Sequence, residues 1–124
     1  MTASILIVED NPDNCQLVTW ILEDEGYQVT PAACAEEGIR KLLETPFDIV
    51  LMDISLPGMD GKQATTHIRA MDGFQKLPII ALTAHAIKGE HEAILSAGVT
   101  DLLTKPLDES LLLACIERHL QQPG

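Results

Sequence analysis

The sequence predicts an open, parallel α/β sheet covered by helices on both faces. Two observations carry this. Short, continuous apolar runs alternate with longer segments of helical periodicity, the pattern of strands that cross over through helices. The apolar runs are only four or five residues long and lack polar alternation, so each strand is buried on both faces. A chain of 124 residues suffices for one core, too small for two and far too short for an eight-fold barrel, so residues 1–124 are predicted to form one domain.

Taken in order, Ser4–Val8 is the first strand. Asn11 is the preferred cap of the helix that follows, ahead of Asp10, with Pro12 in its first turn and Gly26 as its stop. Leu17, Val18, Ile21 and Leu22 form its apolar stripe. Gln28–Ala32 is a second strand, and because Pro31 cannot donate to a ladder it belongs at a sheet edge. Ala35–Glu44 is a helix with Ile39, Leu42 and Leu43 on one face. Asp48–Met52 is a buried strand running into Asp53, and Pro57-Gly58-Met59-Asp60-Gly61 is turn chemistry before a helix over Gln63–Met71. Pro78–Leu82 is a strand ending on Thr83, and Lys88–Ala97 a helix closed by Gly98. Asp101–Thr104 is a short strand before Lys105-Pro106, and Asp108 caps a last helix reaching Leu120.

Charge narrows the function. With 8 basic and 19 acidic side chains the net charge is −11, which repels nucleic-acid phosphates and anionic lipid; neither is expected as a partner. No apolar run approaches the roughly 20 residues of a membrane span, and Met1 leads directly into a strand, so a cytoplasmic, stand-alone protein is expected, with an excised domain of a longer protein as the alternative. Cys15, Cys34 and Cys115 are an odd number without a C-x-x-C pair, and read as reduced thiols. His67, His85, His91 and His119 form no ligand-like pairs, so no histidine metal site is expected.

In parallel α/β sheets the loops after the strands share one edge, where ligands bind. Glu9, Asp10, Asp53, Thr83 and Lys105 all stand one or two residues past an apolar run and are thereby brought together. Three carboxylates in one cleft repel unless neutralised, and one lysine plus a hard divalent cation, magnesium by its oxygen preference, would do so.

These residues carry a resemblance. Ile7-Val8-Glu9-Asp10-Asn11, Leu51-Met52-Asp53 with Leu56-Pro57-Gly58-Met59-Asp60-Gly61, Ala81-Leu82-Thr83-Ala84 and Lys105-Pro106, in this order, resemble the receiver domain of two-component response regulators over essentially the whole chain. The resemblance implies a flavodoxin-like (βα)5 three-layer sandwich with strand order 2-1-3-4-5, which independently puts the Pro31 strand at an edge. It implies Asp53 as phosphoacceptor and Lys105 and Thr83 as ligands of the phosphoryl oxygens. It also implies Mg²⁺ on Asp10, Asp53 and the Ser55 carbonyl, with Glu9 acting through a water. The Lys105-Pro106 bond is implied to be cis. Thr83, Ala84, His85, Leu102 and Pro106 are the implied switch and tuning positions, with Ser55 also beside the acceptor.

The resemblance further implies a sensor histidine kinase or histidine phosphotransfer protein as donor, a downstream protein target, and a monomer or weak dimer. Asn14, Cys15, Val18 and Trp20 on the first helix are the expected partner contacts, with Trp20 turned away from the apolar stripe. Glu23-Asp24-Glu25 at that helix's end read as a solvated acidic rim. The chain departs from the family at Leu102, where most members carry Tyr or Phe; the leucine reads as an apolar filler. Three alternative functions would leave different residues. A degenerate, binding-only receiver would have lost the acceptor or the lysine. An aspartyl-phosphate hydrolase would need a second aspartate where Ser55 stands. A flavin electron carrier would find Glu9-Asp10-Asn11-Pro12 repelling its cofactor's phosphate.

Overall fold

The computed structural model describes residues 3–84 and 88–120. Its strands are β1 (Ser4–Val8), β2 (Gln28–Ala32), β3 (Ile49–Asp53), β4 (Ile79–Thr83) and β5 (Asp101–Thr104). Between and after them run α1 (Pro12–Asp24), α2 (Ala35–Glu44), α3 (Gly61–Ala70), α4 (Lys88–Ser96) and α5 (Glu109–Leu120). All strand pairs are parallel, in the order β2-β1-β3-β4-β5. Pro31 sits opposite Ile7 on the edge strand β2, so its missing N–H costs no inner ladder bond.

Alternation along the strands divides the core into two apolar layers. Leu6, Val8, Val50, Met52, Ile79 and Ala81 face one side, where Ala35, Ile39 and Leu42 of α2, Ala64 and Ile68 of α3 and Ile94 of α4 cover them. Ile5, Ile7, Ile49, Leu51, Ile80 and Leu82 face the other, under Val18 and Leu22 of α1 and Leu112, Cys115 and Ile116 of α5. The result is the three-layer sandwich that the sequence predicts.

Local chemistry fixes the ends. Asn11 Oδ1 accepts the N–H groups of Asp13 and Asn14 at 2.9 and 3.1 Å, and Gly26 leaves α1 at φ +91°. Asp108 Oδ1 accepts the Leu111 N–H at 3.0 Å at the start of α5. Helix α3 begins two residues earlier than its apolar pattern indicates, because Asp60 and Gln63 form a reciprocal capping box that draws Gly61 and Lys62 into the first turn. Two apolar assignments are corrected. Leu17 and Leu43, expected on the buried stripes of α1 and α2, are exposed, because Val18 with Leu22 and Ile39 with Leu42 already fill the space under each helix. Cys15, Cys34 and Cys115 are free thiols, and burial above all pushes the Cys115 thiol up to about 11.

Candidate functional site

The strand order reverses at β1, so a crevice opens between the carboxyl ends of β1 and β3. Glu9 and Asp10 follow β1, Asp53 ends β3, Thr83 ends β4 and Lys105 follows β5. Glu9, Asp53 and Thr83 are buried, and Asp10 is exposed at the rim. Carboxylate oxygens of Glu9, Asp10 and Asp53 lie within 4.8 Å of one another.

Lys105 is the cation among them. Its Nζ stands 3.4 Å from Glu9 Oε2 and 3.3 Å from Asp53 Oδ2. The second oxygens of Asp53 and Glu9 are held by donors: Asp53 Oδ1 accepts the Ser55 N–H at 3.0 Å, and Glu9 Oε1 accepts the Asn11 N–H and the Asn14 amide, each at 3.4 Å. One ammonium against three carboxylates leaves the cluster about two charges short of neutrality. The strain shows on Glu9: burial first, then the hydrogen bond and charge of Asp53, raise its carboxyl from 4.5 to about 7, although Lys105 and Asn14 pull the other way. A set of hard oxygen donors with that excess charge fits a divalent cation of the magnesium type.

The neighbouring positions distribute as follows. The Lys105-Pro106 bond is cis. Ser55 is exposed beside Asp53, and Ala84 is exposed past β4. Leu102 is half-buried and packs on the α2–α4 side of the sheet, as an apolar filler does. His85 lies outside the described residues. On α1, Trp20 and Leu17 are 61% and 56% exposed, so both offer apolar surface to a partner. A cleft of about 470 Å³ runs between α1 and the 105–107 segment, lined by Leu17, Val18, Ile21, Pro106 and Leu107, with Glu9 and Lys105 also on its wall. Val18 is buried and belongs to the floor of this cleft; Cys15 is half-buried, and Asn14 is turned to Glu9 as well as to solvent.

Two features are not evident from the motifs. Gly61 reads as a turn residue, but a Cβ there would stand 2.4 Å from the Asp53 carbonyl oxygen and 2.8 Å from Ile54 Cα. Only glycine lets α3 begin against the backbone at the end of β3. The second is a cluster at the other end of β5. Although the sequence spacing gave no reason to expect a histidine metal site, Asp101, Cys115 and His119 bring one ligand atom each within 4.8 Å of the others. Burial would raise the Asp101 carboxyl, but hydrogen bonds from His119, the Leu102 N–H and Cys115, with the Arg118 charge, hold it below 3.8.

Comparison with known proteins agrees with this geometry. A family model described as the response regulator receiver domain matches residues 5–117. The chain is 44% identical over 111 residues to the sensor protein GacS of Pseudomonas syringae pv. syringae, covering 87% of this chain and 12% of that protein. It is 36% identical over 124 residues to the signal transduction histidine-protein kinase BarA of Escherichia coli K12, covering all of this chain and 13% of BarA. The chain thus spans about an eighth of the length of these relatives. Among solved structures, the receiver domain of the sensor histidine kinase PA1611 of Pseudomonas aeruginosa PAO1 superposes with a TM-score of 0.92 at 38% identity, covering 98% of this chain and all of that one; that structure holds a magnesium ion in its active-site cleft. No helix among the described residues is long and apolar enough to cross a membrane. With the family model spanning the whole sheet and the acidic cleft at the strand ends, the chain belongs to the response regulator receiver domains of two-component signalling.

Proposed function

We propose that the chain accepts a phosphoryl group on Asp53 from a phosphohistidine of a sensor kinase or histidine phosphotransfer protein. The single observation that carries this is the Lys105 ammonium lodged 3.3 Å from Asp53 and 3.4 Å from Glu9 in a cleft still short of positive charge. An Asp53 carboxylate oxygen attacks phosphorus in line; the P–N bond breaks and the leaving imidazole nitrogen keeps the electron pair. Lys105 and the Thr83 hydroxyl each take one phosphoryl oxygen, binding the charge that spreads over them in the transition state. The Ser55 N–H orients the acceptor through Asp53 Oδ1. Asp10, Asp53 and the Ser55 carbonyl would hold Mg²⁺, with Glu9 joining through a water. When bound, the ion draws charge from the phosphoryl oxygens.

The donor docks on α1, where the exposed Leu17 lines the cleft that leads to Lys105 and Trp20 offers further exposed apolar surface on the same helix. The output is a contact with a downstream protein, and the chain turns over no metabolite. Asp53→Asn tests the reading, since an amide is no nucleophile. Incubation with acetyl phosphate and Mg²⁺ should give acid-stable, base-labile labelling of the wild type and none of the variant. Equal labelling of both would reject Asp53 as acceptor.

A further inference from the structure

The polar cluster at the start of β5 has no part in phosphoryl transfer. Asp101 and Lys105 are four residues apart on the chain, about 13 Å along a strand, so the cluster lies at the opposite end of β5 from the acidic cleft. Cys115 and His119 stand at i and i+4 on α5, hence on one helix face, and that face meets Asp101.

We propose that Asp101, Cys115 and His119 form a second metal site, for one divalent transition-metal ion, zinc by the chemistry of its donors. A thiolate, an imidazole and a carboxylate are the three ligand types that zinc combines, whereas magnesium takes oxygen alone. Spacing supports it. Bonds of about 2.0–2.3 Å at tetrahedral angles put zinc ligands about 3.3–3.8 Å apart. Asp101 Oδ2 is 3.0 Å from His119 Nε2 and 3.6 Å from Cys115 Sγ, and all three ligand atoms fall within 4.8 Å.

Two further observations bear on ion binding at this spot. Cys115 and His119 are both more than nine-tenths buried, and the His119 ring is held only through Nε2, the atom on the cluster, because Nδ1 on its far side has no hydrogen-bond partner and can carry the ring proton. A cation already stands at the mouth: the Arg118 guanidinium contacts Asp101 Oδ2 and lies 3.4 Å from His119 Nε2. Its side chain is 62% exposed, so it can leave for water when an ion takes its place, and the fourth ligand position then opens to solvent. Binding releases one proton: the Cys115 S–H bond breaks, sulfur keeps the electron pair and donates it to the metal, and the proton goes to solvent. In the metal-free state the Nε2–H faces the Asp101 carboxylate; on binding, the imidazole proton moves from Nε2 to Nδ1, leaving the Nε2 lone pair for the ion.

Cobalt(II) is the probe, because a thiolate ligand gives it a charge-transfer band in the near ultraviolet that oxygen ligands do not. The full chain is titrated in a phosphine reductant, with Asp10→Ala added to disable the oxygen cluster. The band should appear, survive Cys15→Ser with Cys34→Ser, and vanish in Cys115→Ser and in His119→Gln. Circular dichroism confirms that each variant is folded, and Asp101→Asn, which keeps the shape, should weaken binding if either of the others fails to fold. Arg118→Ala should tighten it severalfold, an effect that a purely structural hydrogen-bond cluster would not give. Absence of the band at saturating cobalt, or its persistence in folded Cys115→Ser, would overturn the proposal.

Discussion

The two ends of β5 carry opposite solutions to the same electrostatic problem. At its C-terminal end Lys105 is, among the described residues, the cation paired with Glu9 and Asp53 in a cluster that also holds Asp10, and burial, with the Asp53 hydrogen bond and charge added to it, raises the Glu9 carboxyl to about 7. At its N-terminal end one carboxylate, Asp101, is met by Arg118, His119, Cys115 and the Leu102 N–H, and its carboxyl is held below 3.8 although burial opposes this. An acidic group buried with too few donors needs a cation from solution to balance it. One already met by donors can take an ion only in exchange for them, as the Arg118 guanidinium would yield at Asp101. The contrast is one of neutralisation, since burial acts in the same direction at both ends.

Stability against pH breaks or sharpens this contrast most strongly. For Glu9 the folded value lies above the ordinary 4.5, so its contribution is fully present below about pH 4.5 and is lost as pH rises towards 7. The loss is at most about 3 kcal/mol, at 1.36 kcal/mol per pKa unit. For Asp101 the folded value lies below 3.8, so its contribution is present above that pH and disappears as pH falls through the lowered value. Urea unfolding of metal-free protein should therefore show wild type minus Glu9→Gln declining from pH 4.5 to 7. Wild type minus Asp101→Asn should decline only in acid. Slopes of the same sign would dissolve the comparison.

Magnesium comes next. It should stabilise the folded protein by RT ln(1 + [L]/Kd), about 2.7 kcal/mol at a hundredfold excess over Kd. Asp10→Ala should lose most of the rise in melting temperature, while Asp101→Asn keeps it. An undiminished magnesium response in Asp10→Ala would remove that residue from the ion's ligands.

Most of the first cluster is legible in the sequence, because a parallel sheet sends every strand end to one edge and Glu9, Asp10, Asp53, Thr83 and Lys105 each follow an apolar run. The second cluster is half legible. Cys115 and His119 have helical i, i+4 spacing, but their meeting with Asp101 depends on how α5 lies across β5, which no local pattern records. Gly61 fails for a similar reason: a turn and a close approach to the Asp53 carbonyl are written with the same residue. Leu17 and Leu43 show the limit of periodicity, which finds an apolar stripe but not its edge.

The smallest expected effect concerns Leu102, which joins the two ends. It has no aromatic ring to turn, so beryllofluoride, a phosphoryl mimic, should alter amide exchange mainly in residues 84–90 and little in 101–104. A response in β5 as large as that of residues 84–90 would show that the strand switches without a ring.

The most direct test of the central claim, that the under-neutralised end of β5 is the phosphoryl site, is to locate the phosphoryl group chemically. Protein phosphorylated by a phosphohistidine donor is reduced with borohydride, which converts an aspartyl phosphate to homoserine, and then mapped by mass spectrometry. Homoserine is expected at position 53, with aspartate retained at positions 10 and 101. Homoserine at either of those positions, or none at 53 in protein that carries the phosphoryl group, would contradict the claim.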